Sequence, residues 1–231
     1  MSLKDDITAD VKSIFDTTWK ERDGQVVPED KDITLGNDAV NLDATVLYAD
    51  MADSTKLVDG YKPWFAAEVY KTFLVASAKI IRNEGGFITA YDGDRVMALF
   101  IGKSKNSSAA RTALKLNWAV KNIIQPVINE KYPKNPYGVR HVVGIDTSKL
   151  FVAKTGIRGA NDLVWVGRAA NYAAKLSALP HAFPTYITSE VHALLNDESK
   201  IGSNGKTMWE AARWETFDNR TIYQSTWTWA L

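Results

Sequence analysis

Leu47-Tyr48-Ala49-Asp50-Met51-Ala52-Asp53-Ser54-Thr55 and Tyr91-Asp92-Gly93-Asp94-Arg95-Val96-Met97-Ala98-Leu99-Phe100 each hang a carboxylate on the end of an apolar run. In the first stretch the β-forming residues 44–48 stop just before Asp50; in the second, Asp94 comes just before the apolar residues 96–101. Short apolar runs bounded by turn residues read as buried strands, so both aspartates sit at rigid strand–turn junctions. Taken alone, Asp92-Gly93-Asp94 is hairpin-turn chemistry and Asp50 is a cap for the helix that follows. Taken together, two carboxylates make a hard-oxygen site for a pair of divalent cations, the kind of site used in phosphoryl and nucleotidyl transfer.

Working outward, Phe65, Val69, Phe73, Ala76 and Ile80 follow helical spacing, and Glu84-Gly85-Gly86 stops that helix. Residues 87–91 and 96–101 are strands around the Asp92-Gly93-Asp94 turn. Ala109, Ala113, Leu116, Val120, Ile123 and Val127 mark a second long helix, and Pro133 and Pro136 close the loop after it. Residues 139–145 form a buried strand with which 150–153 pair; residues 163–166 are a short strand ended by Gly167; residues 169–176 form an alanine-rich helix. Residues 183–188 are another strand, Ser189 caps a short helix through Leu195, and 208–216 and 221–228 are two strands of the tail. The order β-α-β-β-α-β predicts an α+β fold with a ferredoxin-like core and extra C-terminal strands. That layout brings the end of the first strand beside the hairpin, hence Asp50 beside Asp94. Ser54 and Thr55 offer helix caps, and the small polar residues Ala52, Asp53, Ser54 and Thr55 let backbone N–H groups face an anion. At the N-terminus, Ile7, Val11, Ile14 and Phe15 line one side of a helix over 4–21, a regulatory or dimer-supporting arm or, in the preferred reading, a cover for apolar surface, and 22–42 reads as a polar linker. The expected division is 1–42 as N-terminal helix and linker and 43–231 as the catalytic domain.

The 231 residues are 45% hydrophobic and 24% charged, and 28 Lys and Arg against 27 Asp and Glu leave a net charge of +1. That balance recruits neither nucleic acid nor a membrane surface. With no cysteine, disulfides, thiolate zinc sites and cysteine nucleophiles are excluded. The first residues have no apolar signal core, and no apolar run approaches a bilayer span, so a cytoplasmic protein is expected. His141, His181 and His192 have no paired spacing and read as structural. Phosphate-loop and serine-elbow signatures are absent. Asn171 and Lys175, four apart on the alanine-rich helix, share a face. An amide and an ammonium there either hold a ribose oxygen and a phosphate or form an ordinary solvated face. Lys206, Arg213 and Arg220 are candidates for a further phosphate contact, or plain surface charge.

Four stretches in order resemble the class III nucleotide cyclase catalytic domain, over about residues 44–195: Tyr48 to Thr55, Gly93 to Phe100, Gly144-Ile145-Asp146-Thr147, and Gly167 to Lys175. The resemblance implies that Asp50, Asp94 and the Met51 carbonyl bind two Mn²⁺ or Mg²⁺ ions per site, that Asn171 orients the ribose, and that Lys175 steadies the phosphorus under attack. It also implies a head-to-tail homodimer whose shared sites take the aspartates from one protomer and Asn171 and Lys175 from the other. Lys175 departs from the usual family arginine, keeping the charge without the bidentate fork. In purine cyclases the base is read by a Lys or Glu four residues before the second metal aspartate and by a polar residue seven before the ribose asparagine. Here those positions are Ala90 and Val164, which offer no side-chain hydrogen bond. Tyr91 and Arg95 flank the aspartate and are available to a base. The chain is thus most similar to the pyrimidine cyclases of Pycsar antiphage systems. That likeness implies conversion of UTP to 3′,5′-cyclic UMP and pyrophosphate, a signal for a separate cyclic-nucleotide-activated effector. A cytidylate cyclase, a purine cyclase with displaced base contacts, and a non-enzymatic nucleotide-binding module are the alternatives.

Overall fold

The protein's structure, a computed structural model, describes residues 2–134 and 137–231; Pro136, expected to close a loop, lies outside them. In chain order the elements are α1 (Leu3–Asp16), β1 (Lys20–Asp23), a 3₁₀ turn (Asp30–Asp32), β2 (Asp38–Met51), α2 (Ser54–Gly60), α3 (Pro63–Asn83), β3 (Phe87–Asp92) and β4 (Arg95–Phe100). There follow α4 (Lys105–Ala119), a π-helical turn (Val120–Ile124), α5 (Gln125–Lys131), β5 (His141–Ile157), β6 (Ala160–Val166) and α6 (Arg168–Ser177). The chain ends with β7 (Thr185–Thr188), α7 (Ser189–Ala193), a 3₁₀ turn (Asp197–Ser199), β8 (Glu210–Trp214) and β9 (Arg220–Ser225). They fall into two compact units: Ala44–Ser148 with Arg168–Leu231, and the chain up to Asp43 with Lys149–Gly167.

The larger unit holds the expected α+β core. Its strands run in the order β3-β4-β2-β5-β7-β9-β8. β2 and β4 are antiparallel, with Thr45 opposite Phe100 and Asp50 opposite Arg95. The β3–β4 hairpin closes through Gly93 at φ 60, a left-handed conformation that glycine adopts without strain. Alternation along the strands decides the two faces. Leu47, Ala49 and Met51 of β2, Val96, Ala98 and Phe100 of β4, and Val143 and Ile145 of β5 join Phe65, Val69 and Phe73 of α3 and Ala113, Leu116 and Val120 in one buried core. On the opposite face Val142 of β5 packs with Leu176 of α6, Tyr186, Trp214 and Ile222. α6 lies directly on β5, since a Cβ at Gly144 would come within 2.1 Å of the Ala173 carbonyl and 2.5 Å of the Ser177 nitrogen.

In the smaller unit β1 pairs in parallel with the start of β2, from Lys20 opposite Asp38 to Asp23 opposite Asn41. β6 folds back on the end of β5, from Phe151 opposite Val166 to Ile157 opposite Ala160. The stretch expected as linker therefore carries strand, and it is tied down by an Arg22–Asp38 ion pair at 2.6 Å and a Lys154–Asp30 pair at 2.8 Å. The expected break between 145 and 150 is absent: β5 runs through it, because Thr147, polar but buried, bonds within the sheet to the Ala44 carbonyl at 3.2 Å and Thr45 at 3.1 Å. The N-terminal helix stops at Asp16 rather than 21, and none of its residues is buried; Leu3, Ile7, Val11, Ile14 and Phe15 stay exposed instead of covering a surface. Among the described residues no helix is long and apolar enough to cross a membrane.

Candidate active site

Because Ala49 and Met51 turn into the helix-covered core, Asp50 and Tyr48 face the other side of the sheet. Directly opposed residues of an antiparallel pair share a face. Asp50, Arg95 and Asp92 thus form one cross-strand row, and Tyr48, Met97 and Ala90 the next. Asp94, adjacent to Arg95 at the hairpin tip, comes close enough to Asp50 for the two charges to interact. Burial first, and the Asp94 charge second, push the Asp50 carboxyl up to about 6; Arg95 and the Met51 N–H act the other way. Asp94 Oδ2 is buried without a hydrogen-bond partner. Two neighbouring carboxylates, one with an orphaned buried oxygen, are destabilised as they stand and favour a cation between them. Among the described residues no group of three or more His, Asp and Glu converges. A hard cation can take one or two protein carboxylates and complete its shell from substrate phosphates and water.

The turn after Asp50 differs from expectation. Asp53, not Ser54 or Thr55, is the residue before α2, at φ 60 and with no side-chain cap bond. Its carboxylate pairs with Lys56 at 2.7 Å and Arg140 at 3.4 Å, with His181 at 3.8 Å. The Lys56 contact leads in holding the Asp53 carboxyl below its ordinary value. The Ala52 N–H is already engaged, donating to the Arg140 carbonyl at 2.9 Å. Ser54 shares a side-chain hydrogen bond with the Tyr70 phenol, which also feels both Asp50 and Asp94. Arg140 and Tyr70 carry no expectation from the sequence, and His181, expected to be structural, stands beside the turn here. Arg140 and His181 lie far along the chain from Asp53, and Tyr70 sits beside the apolar stripe of α3, so no motif marks them.

On the hairpin side, Arg95 donates to Asp92 at 2.7 Å and lies over the Tyr48 ring at 5.8 Å. Tyr91 is 55% exposed. Ala90, beside a register shift in β3, presents only a methyl group next to Met97 and Tyr48. Val164 belongs to the smaller unit, on β6 opposite Ala153.

α6 is clamped at its start. Arg168 donates to Asp146 at 3.0 and 3.3 Å, to the Thr147 carbonyl at 2.7 Å and to Glu190 at 2.6 Å, while Thr188 donates to Asp146 at 2.6 Å. Asp146 is fully buried, and burial raises its carboxyl despite these partners. The clamp and the Gly144 contact fix which face α6 turns outward. Asn171 and Lys175 lie exposed on it, with the Lys175 ammonium 4.6 Å from the Phe217 ring centre. Among the described residues no hydrogen bond or ion pair joins Asn171 or Lys175 to Asp50 or Asp94. In the tail, Arg220 donates to the Tyr172 hydroxyl at 2.6 Å, and Arg213 bonds within its own hairpin, to Thr221 at 3.1 Å.

No protein-family model matches the chain. It is 58% identical over 232 residues to a uridylate cyclase of Xanthomonas perforans and 52% over 233 residues to one of Burkholderia cepacia, each match spanning both chains in full. A uridylate cyclase of Rhodovulum sp. (strain MB263) is 42% identical over 231 residues, covering 97% of this chain and 96% of that one. Among solved structures, the adenylyl cyclase CyaB from P. aeruginosa superposes with a TM-score of 0.66 at 20% identity, over 81% of this chain and 95% of that one. The guanylyl cyclase Cya2 gives 0.67 at 18%, over 82% and 94%; both show the likeness of fold. With full-length relatives at this identity and this sheet, the chain belongs to the uridylate cyclases, nucleotidyl cyclases of the class III fold.

Proposed function

We propose that the protein converts UTP to 3′,5′-cyclic UMP and pyrophosphate, with Asp50, Asp94 and the Met51 carbonyl holding two Mn²⁺ or Mg²⁺ ions. The observation that carries this reading is the orphaned, buried Asp94 Oδ2 beside an Asp50 carboxyl pushed up to about 6, a pair that a divalent cation would satisfy. Bound there, the ions supply charge neutralisation for the triphosphate and acidify the ribose 3′-hydroxyl. The 3′-oxygen attacks the α-phosphorus, the bond to the bridging oxygen of pyrophosphate breaks, and the 3′ proton leaves to solvent. The chain's own residues position and shield. Asp53, Ser54 and Thr55 border the triphosphate. Asn171 orients the ribose and Lys175 meets the α-phosphoryl charge. Among the described residues neither Asn171 nor Lys175 bonds to the acid pair, and in this reading the partner subunit of a head-to-tail homodimer supplies that face.

The base reading follows from what the site lacks. Ala90 shares the face of the acid pair and offers no hydrogen bond, and Val164 offers none either. A buried purine edge left unpaired there costs about 1–3 kcal/mol per polar group. Arg95 and Tyr91 remain as contacts for the smaller pyrimidine. The product is the second messenger of an antiphage response read by a separate effector. Incubation with ATP, GTP, CTP and UTP plus Mn²⁺, with products separated by mass, tests the reading: cyclic UMP is expected to predominate, and predominant cyclic AMP or GMP rejects it.

A further inference from the structure

A polar cavity lies at the start of β5, where Arg140 and His141 meet Lys121 and His181. His141 has the same strand parity as Val143 and Ile145, so it faces the helix-covered core, where its ring lies 5.8 Å from that of Phe73. Beside it is a cavity of about 220 Å³, to which Lys121, Arg140, His141, His181 and Asn117 contribute. Its lining includes no carboxylate among the described residues. His141 is 3% exposed, and its Nε2 has no hydrogen-bond partner. Lys121 is near enough for its charge to add to the burial that holds this imidazole neutral. The Lys121 ammonium reaches the Thr226 carbonyl at a long 3.5 Å. Arg140 stands 3.1 Å from His181 and touches Asp53 at 3.4 Å, but Lys56 holds that carboxylate more closely, at 2.7 Å.

We propose that this cavity is a separate anion site for a phosphate-class oxyanion. Two permanent cations and two imidazoles surround it, and Asp53, which pairs with Arg140 and His181, is not in the wall. An ammonium and a guanidinium are the donors that phosphate oxygens take. A buried ring nitrogen without a partner is destabilising, and hydrogen phosphate can either donate to it or accept from it. The space equals the liquid volume of about seven waters, room for one or two phosphate groups. The same Arg140 binds the turn after Asp50 through its carbonyl, which accepts from Ala52 at 2.9 Å. An occupant of the cavity therefore draws on the residue that steadies that turn. Free phosphate, released pyrophosphate and the phosphate tail of a nucleotide share this chemistry.

The chain has three histidines, so imidazole nitrogen–proton correlation spectra resolve the site directly. Metal-free protein is titrated with inorganic phosphate at constant ionic strength. Saturable shifts are expected at His141 and His181, and none at His192, which is stacked on Tyr223 at 3.6 Å. The same curve is expected for Asp94→Asn, and the exposed substitution Lys121→Gln is expected to weaken it about tenfold. Parallel titrations with pyrophosphate and UTP identify the source by the tighter curve. Shifts that never saturate, that are unchanged in Lys121→Gln, or that vanish in Asp94→Asn overturn the proposal; the last places the anion at the acid pair instead. None of these readouts depends on turnover, so failure here is distinct from failure of the cyclase reading.

Discussion

Replacing Asp50 with Asn should abolish turnover and stabilise the metal-free protein. The Asp50 carboxyl is raised from 3.8 to about 6 by burial and by Asp94. About two units correspond to roughly 3 kcal/mol of disfavoured ionisation, and solvent screening of this half-buried group reduces that to about 1–2 kcal/mol. The folded protein holds the Asp50 proton more tightly than the unfolded chain. This group's stabilisation is therefore fully present below pH 3.8 and is lost as pH rises through about 6. At pH 7.5 the neutral amide avoids the penalty, and for a domain of this size the melting temperature should rise by about 2–8 °C. Thermal unfolding in a chelator at pH 5 to 8, with wild type and Asp50→Asn side by side, should show the gap opening as pH rises. Adding Mn²⁺ should reverse the order, stabilising wild type alone. A variant no more stable than wild type at pH 7.5, a gap independent of pH, or retained turnover would refute the reasoning.

Mixing Asp50→Asn with Asn171→Ala protein should restore activity at one composite site of each heterodimer; silence despite demonstrated heterodimers contradicts the head-to-tail arrangement. Gly144→Ala forces a Cβ to within 2.1 Å of the Ala173 carbonyl, so denaturant unfolding should register a loss of about 1–3 kcal/mol. Its turnover should fall further, because α6 carries Asn171 and Lys175, and unchanged stability would mean that α6 does not press on β5. Arg168→Ala leaves the fully buried Asp146 without its cation and should cost about 3 kcal/mol or more in the same assay. The double variant Arg168→Met, Asp146→Leu should recover most of that stability while turnover stays low; full activity in it would show that the clamp does not position α6.

The fold was legible where the chain alternates or repeats cleanly. The apolar runs around Asp50 and Asp94, the stripe of α3 and the Asp92-Gly93-Asp94 turn fixed the hairpin, the strand order near it and the acid pair. Legibility failed where polar residues are satisfied by partners far away in sequence. Thr147 looks like a turn residue, yet it is bonded inside β5 to Ala44 and Thr45. The 22–42 stretch looks like linker, yet ion pairs hold part of it as strand. At the candidate site, Asp50, Asp94, Asn171 and Lys175 were named from short motifs whose residue types suit the expected chemistry. Tyr70 and Arg140 were not, since each reaches the turn after Asp50 from another element, and His181, read as structural, pairs with Asp53 there. Asp53 was legible as part of the turn but not as the left-handed residue before α2.

The most direct measurement is a crystal structure of the protein grown with Mn²⁺ and a non-cyclising UTP analogue, with the metal located by anomalous scattering. Manganese should lie about 2.0–2.2 Å from oxygens of both Asp50 and Asp94, the previously unpartnered Asp94 Oδ2 among them, with the triphosphate bridging the ions. Manganese bound elsewhere, with the two carboxylates bare, would contradict the account.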